Sequence, residues 1–113
     1  AKNGMCSIED VVLWMSTYVA DCYNMTGKGR LEEGQDGDIV LVDMNREAVV
    51  EDQNSWSRVG WNPFSGRSLV GWAQITVVAG IPVFERTEGT GQKGKLLVKP
   101  GEVGEAILMT PWD

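Results

Sequence analysis

The chain has 113 residues, a formal net charge of −6 and an isoelectric point near 4.6, so it can build one modest core and lacks the clustered Lys and Arg that a phosphate backbone demands. It contains no histidine, the residue that most often serves as general base near neutral pH and as ligand to catalytic zinc. With no apolar run of membrane-spanning length, only Cys6 and Cys22 as thiols, and no signal-peptide pattern in AKNGMCSIED, the expectation is a soluble cytoplasmic protein whose partners include neither nucleic acid nor membrane.

In chain order, Ser7 with Glu9 and Asp10 reads as a helix N-cap with acid in the first turn, and Asp10 occupies the capping-box position. Ile8, Val11, Val12, Met15, Tyr18, Val19 and Cys22 then recur at three- and four-residue spacing, which predicts one amphipathic helix ending near Met25 and Gly27. Such a stripe carries on the order of 10 kcal/mol of gross burial energy, so it calls for a partner surface. After Gly27 the texture becomes strand-like. Arg30 and Leu31 read as a short strand, Ile39–Asp43 and Ala48–Glu51 as two more, and DQNSWSRVGWNPF as a polar loop. Leu69–Val78 and Ile81–Arg86 form a hairpin about Ala79-Gly80, with Pro82 pushing its strand toward an edge because it cannot donate to a ladder. Leu96–Lys99 and Glu105–Met109 complete the strands, giving a mainly β, α+β chain with one N-terminal amphipathic helix. The organisation this implies is a helical segment over residues 1–26 and a β domain over residues 27–113.

Candidate chemistry is sparse. Gly89 to Lys95 spells GxxxxGK, the letters of a phosphate-binding loop, but Leu96 stands where a magnesium-binding hydroxyl is needed, and Pro100 and Gly101 stop any following helix. A connection between strands is the better reading. The carboxylate pairs Glu9/Asp10, Glu32/Glu33, Asp36/Asp38 and Glu51/Asp52 sit at a helix start, in a turn accepting local N–H groups, and at strand ends beside solvent. No serine or cysteine has a histidine to activate it. The five tryptophans, Trp14, Trp56, Trp61, Trp72 and Trp112, read as packing rather than as a stacking platform, since no positive charge accompanies them. The chain therefore offers no catalytic, cofactor-binding or metal-binding residue.

The order of segments carries more. SIEDVVLWMSTYVADCYNMTGKGRLEEGQDGDIVLVD resembles the end of the barrel in cyclic amidohydrolases, where the last helix runs into a pattern like KGxIxxGxDADLVLVD; Lys28, Gly29, Arg30, Leu31, Gly34, Asp36, Asp38 and Ile39–Asp43 carry the match, with Gly37 in place of the usual alanine. WNPFSGRSLVGWAQITVVAGIPVFE is similar to a later segment of the family through Asn62, Pro63, Phe64 and Gly66, ending in a V-x-G-x-x-V turn in which Ala79 and Pro82 depart from the usual pattern. Its Trp61-to-Trp72 spacing and Phe64 favour dihydroorotases over hydantoinases and allantoinases, and GKLLVKPGEVGEAI is similar to the family's last strands. The resemblance implies the last helix of a TIM-type barrel followed by a β-sandwich, with GTGQKG lengthening a connection between its strands. It implies a zinc enzyme of pyrimidine biosynthesis that hydrolyses a cyclic amide, whose histidines, aspartate and carboxylated lysine come from barrel segments preceding this stretch. The implied role is structural, with no cofactor held by this chain, and the implied partner is the rest of the same enzyme. The alternative is a stand-alone β-rich module that dimerises through its exposed helix face.

Overall fold

The computed structural model describes residues 4–86, 93–99 and 101–104. It divides into two compact units, Ala1–Gly37 with Gly104–Asp113, and Asp38–Val103.

In the first unit the expected cap is present in full. Ser7 Oγ accepts the Asp10 N–H at 3.0 Å and Asp10 Oδ2 accepts the Ser7 N–H at 2.8 Å, so two orphan donors of the helix start are satisfied reciprocally. The helix is not uniform: α1 (Ile8–Val12) passes into a π-helical turn (Leu13–Thr17) and then into α2 (Tyr18–Cys22). The Tyr18 N–H reaches back to the Leu13 carbonyl, five residues earlier. One extra residue in a turn rotates everything beyond it by about 100°, so the expected stripe does not stay on one face. Ile8, Val12, Met15, Tyr18 and Val19 are exposed, and Ala20 is the buried apolar residue of the segment at 4% exposure. The helix also stops earlier than its periodicity suggests. The Met25 N–H bonds the Ala20 carbonyl at 2.8 Å over a left-handed Asn24 at φ 51°, the six-to-one closure that terminates helices. Arg30 and Leu31, expected as a strand, are not one: Arg30 lies in a bend and Leu31 in irregular chain. Gly29 beside them has φ +84°, and Arg30 Nη2 is drawn to Asp21 Oδ2 at 2.8 Å.

The second unit is a four-stranded antiparallel sheet in the order β1-β2-β3-β4, with β1 Ile39–Val49, β2 Ser68–Val78, β3 Ile81–Glu85 and β4 Lys95–Leu96. The two strands expected over Ile39–Asp43 and Ala48–Glu51 are one. Met44–Glu47, left between those two strands, belong to an irregularity in the pairing: Asp43 opposes Trp72 and Glu47 opposes Val70, so three residues of β1 face Gly71 alone. Asp43 Oδ1 accepts the N–H groups of Asn45 and Arg46 at 2.9 and 3.2 Å, which satisfies donors that the ladder cannot reach. β2 and β3 meet where expected. Val78 pairs with Ile81, and Ala79 (φ 50°) and Gly80 (φ 79°) form the two-residue turn, which with positive φ at both positions is type I′. Beyond it Thr76 pairs Phe84 while Val77 pairs Pro82, leaving Val83 as a bulge. Pro82 is not on an edge strand as expected: β3 lies between β2 and β4, and the proline is tolerated because β4 pairs only with Phe84 and Glu85. β4 itself is shorter than the expected Leu96–Lys99. The expected Glu105–Met109 strand lies outside the described residues.

The sheet is thinly covered. The eight residues from Gly71 to Val78 are half-buried, Val50 at 9% exposure is the buried apolar residue among those described in this unit, and Ile39, Val40, Leu41 and Val42 are exposed although successive strand residues face opposite sides.

Candidate functional site

The residues singled out from sequence fall into two constellations, one in each unit, and a bond across the hairpin. In the first unit they build a clasp around residues 27–36. Lys28 Nζ and Asp36 Oδ2 form an ion pair at 2.8 Å, and the Asp36 N–H donates to the Gly27 carbonyl at 2.9 Å. Gly29 lies against the helix: its carbonyl accepts from Thr17 Oγ1 at 2.9 Å, and a Cβ built there would sit 2.5 Å from Ala20 Cβ and 3.1 Å from the Ser16 carbonyl. Gly34 also has a left-handed φ, +87°, but open space around it. Within the clasp, Lys28 and Asp36 tie its two ends together and Gly29 packs against the helix.

Asp38 reaches beyond its own turn. Its Oδ1 accepts the Ala79 N–H at 2.8 Å, from a residue 41 positions away, and so holds the strained corner of the hairpin from the start of β1.

The WNPFSG segment closes on the end of β1. The Val50 N–H donates to the Arg67 carbonyl and the Gly66 N–H to the Val50 carbonyl, at 2.9 and 2.8 Å. Asn62 Oδ1 accepts the Phe64 N–H at 2.9 Å across Pro63, and its own N–H donates to Asp52 Oδ1 at 2.8 Å. Arg67 lies 5.8 Å from the centroid of the Phe64 ring. Glu51 and Asp52, expected as solvated strand-end acids, are structural acceptors: Glu51 Oε2 takes the side-chain amides of Asn54 at 2.8 Å and Gln53 at 3.1 Å. Two cavities lie under this segment. One of about 260 Å³ is lined by Val50, Phe64, Leu69 and Trp72 among others. The second, of about 220 Å³, is lined by Glu51, Asn54, Trp56, Asn62, Trp72 and Arg86 with Val50 and Ser55.

Arg86 is the residue that sequence reading missed. Its guanidinium carbon sits 5.0 Å from the Trp72 ring centroid and 5.1 Å from that of Phe84, and Nη1 donates to the Ala73 carbonyl at 3.0 Å. Burial, with the positive charge of Arg46 as a second cause, pushes the guanidinium below its usual range. The spacing of Trp72, Phe84 and Arg86 is no motif; only the β2–β3 pairing brings them together.

The remaining candidates find bland roles. The Ser7 N–H and hydroxyl hold the Asp10 carboxyl below the usual carboxylate range, and Arg30 does the same for Asp21. Lys95 of the GxxxxGK stretch lies in β4, and a side chain at Gly94 would overlap the Phe84 ring, so close packing explains that glycine. The residues from Gly89 to Gln92 lie outside those described. Trp56 Nε1 donates to the Lys93 carbonyl at 2.9 Å, and Lys93 Nζ stands 4.8 Å from the Trp56 ring centroid, so a positive charge does accompany this exposed tryptophan. The chain has no histidine, and among the described residues no group of three His, Cys, Asp or Glu could hold a metal ion. No described helix is long and apolar enough to cross a membrane.

The family that the sequence resembles is also the one indicated by comparison with known proteins. The sequence model of the amidohydrolase family matches residues 1–83, and the chain belongs to that family. Among curated relatives it is similar to the dihydroorotase of Pyrococcus horikoshii, 34% identical over 101 residues that make up 88% of this chain and 24% of that protein. The dihydroorotases of Pyrococcus furiosus (31% over 102 residues, 89% of this chain and 24% of that protein) and Pediococcus pentosaceus (33% over 85 residues, 75% and 20%) are similar as well. The chain thus spans about a quarter or less of the length of these relatives.

Proposed function

We propose that this chain is the part of a dihydroorotase-like amidohydrolase that carries the last barrel helix and the sheet of the β-sandwich beside the barrel, and that its role is to brace the catalytic portion rather than to catalyse. In the intact enzyme the reaction would be hydrolysis of a cyclic amide in pyrimidine biosynthesis, with metal chemistry supplied by residues outside this stretch. The observation that carries the reading is uncovered apolar surface. The helix exposes Val12, Met15 and Tyr18 at 55, 76 and 54%, and β1 exposes Val40, Leu41 and Val42 at 53, 51 and 48%, surface that a lone monomer rarely presents. The matched relatives are about four times as long, which leaves ample chain to cover it.

Intact-mass analysis of everything that copurifies with the chain tests this. A larger amidohydrolase polypeptide in stoichiometric amount, with dihydroorotate hydrolysis in the pair and none in the chain alone, is the expected result. Turnover by the pure chain alone refutes it. The same exposed helix face favours a second reading, a non-catalytic module that dimerises through it; a well-folded homodimer in sedimentation, with no larger polypeptide, would select that reading.

A further inference from the structure

We infer that Asp36-Gly37 is a site of spontaneous backbone modification, where the aspartate isomerises to isoaspartate through a cyclic succinimide, and that the ion pair from Lys28 restrains the reaction. Ring closure needs a carboxyl group free to turn onto the nitrogen of the next residue, an amide N–H not engaged elsewhere, and no side chain on that next residue to block the approach. Asp36-Gly37 is the one Asp-Gly pair in the chain, and glycine, with no Cβ, leaves its nitrogen open to close approach. Residues 36–38 form neither helix nor strand, and among the described residues no backbone bond uses the Gly37 N–H. The Asp36 side chain is 55% exposed.

Nearby aspartates are placed differently. Asp38 accepts the Ala79 N–H at 2.8 Å and precedes β-branched Ile39, and Asp43 accepts the N–H groups of Asn45 and Arg46; each would have to give up its bonds to turn onto the following nitrogen. What holds the Asp36 carboxylate is Lys28 Nζ at 2.8 Å. In the closing step the Gly37 nitrogen attacks Cγ of the protonated Asp36 carboxyl. An N–Cγ bond forms, a C–O bond breaks, and the hydroxyl leaves with the Gly37 proton as water. Water then adds to one of the two ring carbonyls. Cleavage of the new bond restores aspartate, whereas cleavage of the original peptide bond leaves the chain running through Cγ, one atom longer, with the free carboxylate on Cα. Either way that carboxylate acquires an oxygen from solvent. Isoaspartate carries its charge closer to the backbone, so the modification undoes the pair that ties the clasp. The assignment does not depend on the chain being part of a larger hydrolase.

The test is incubation in 18O-labelled water at neutral pH of the chain in the state in which it purifies, beside a synthetic peptide of residues 31–40. Digestion and mass spectrometry with electron-transfer fragmentation then locate heavy oxygen and isoaspartate. Both should accumulate at Asp36, more slowly than in the peptide, and at neither Asp38 nor Asp43. Lys28→Met, which keeps the aliphatic stem and removes the charge, should speed the reaction about 1.4- to 5-fold, the worth of an exposed ion pair. Added salt, which screens the pair without a substitution, should speed the chain and not the peptide. Arg30→Ala, which removes the pair to Asp21, should leave the rate unchanged, and Gly37→Ala should slow it because a Cβ crowds the attacking nitrogen. Heavy oxygen absent from Asp36 while the peptide acquires it overturns the assignment, as does equal labelling of Asp38 or Asp43. A rate unmoved by Lys28→Met in a chain that keeps its helical circular dichroism signal, or by salt where that variant does not fold, overturns the role of Lys28, and so does an equal rise with Arg30→Ala.

Discussion

Gly29 is where the helix and the clasp touch, so Gly29→Ala separates two physical costs that are usually confounded. An alanine at φ +84° pays about 1–2 kcal/mol for the left-handed region alone. Its Cβ would also stand 2.5 Å from Ala20 Cβ and 3.1 Å from the Ser16 carbonyl. Neither neighbour is the tip of a flexible side chain, so the helix must move, an overpacking cost of about 1–3 kcal/mol. That movement stretches the 2.9 Å bond from Thr17 Oγ1 to the Gly29 carbonyl, worth about 0.5–1.5 kcal/mol. The sum is about 2.5–6.5 kcal/mol, enough to release the clasp. Gly34→Ala is the control: φ is +87° but nothing lies within 4 Å of its Cβ, so only the dihedral cost of about 1–2 kcal/mol applies. Urea denaturation of both variants, followed by the helical circular dichroism signal, should place Gly29→Ala well below Gly34→Ala. Adding Ala20→Gly to Gly29→Ala removes one clashing atom and should recover part of the loss despite the helix penalty of about 1 kcal/mol for glycine. Equal destabilisation by the two single substitutions would refute the claim that Gly29 is there for close approach.

Ala79 sits at φ 50° in a type I′ turn; Ala79→Gly relieves about 1–2 kcal/mol of left-handed strain against about 0.4–1 kcal/mol of added unfolded-chain entropy, so urea melts should show a net gain, and a loss would contradict the turn assignment. Asp38→Ala removes the acceptor of the Ala79 N–H and should cost about 1.5–3 kcal/mol, as expected for a bond to a charged group, with faster hydrogen exchange at Ala79; unchanged exchange there would contradict the contact. The Asp10 carboxyl is held below its ordinary range by Ser7, so its contribution is fully present above the unfolded carboxylate value of about 3.9 and is lost as pH falls through the lower folded value. Amides of α1 should therefore fray only at acid pH, and Ser7→Ala should move that midpoint upward; a midpoint unmoved by the substitution would break the link. Arg30→Ala should raise the Asp21 midpoint toward the ordinary carboxylate value in an NMR titration, with little change in global stability, because the pair is solvent-exposed.

What could be read from the letters was local. The helix start was legible because Ser7 and Asp10 satisfy each other within one turn, and the hairpin because a two-residue turn with glycine at one position leaves few alternatives for the flanking strands. The π turn was not legible: Leu13–Thr17 carries no proline or glycine, and a periodic pattern only says where a helix would be amphipathic if it stayed regular. DMNRE misled for a related reason. Polar residues between two apolar runs look like a turn, but a single aspartate that accepts two backbone N–H groups turns the same letters into a bulge inside one strand. The role of Asp38 and the setting of Arg86 depend on strand pairing across 41 and 13 positions respectively, and no local pattern encodes such a distance.

The mismatch with most bearing on function is Ile39–Val42. A continuous run of four apolar residues is what a strand buried on both faces looks like, because a strand with one wet face alternates. In the fold these residues are exposed at 37 to 53%, so the sequence specifies two covered faces where the chain supplies little cover for either. Neither propensity nor pairing with β2 explains that excess, since a half-buried strand needs every second apolar residue and no more. On the reading proposed above, the surplus methyl groups are what a contact surface from outside these residues would cover. On the proposed reading, the match of residues 1–83 to the amidohydrolase family would follow from letters that make one piece pack against another, the apolar run of β1 among them, rather than from catalytic ones.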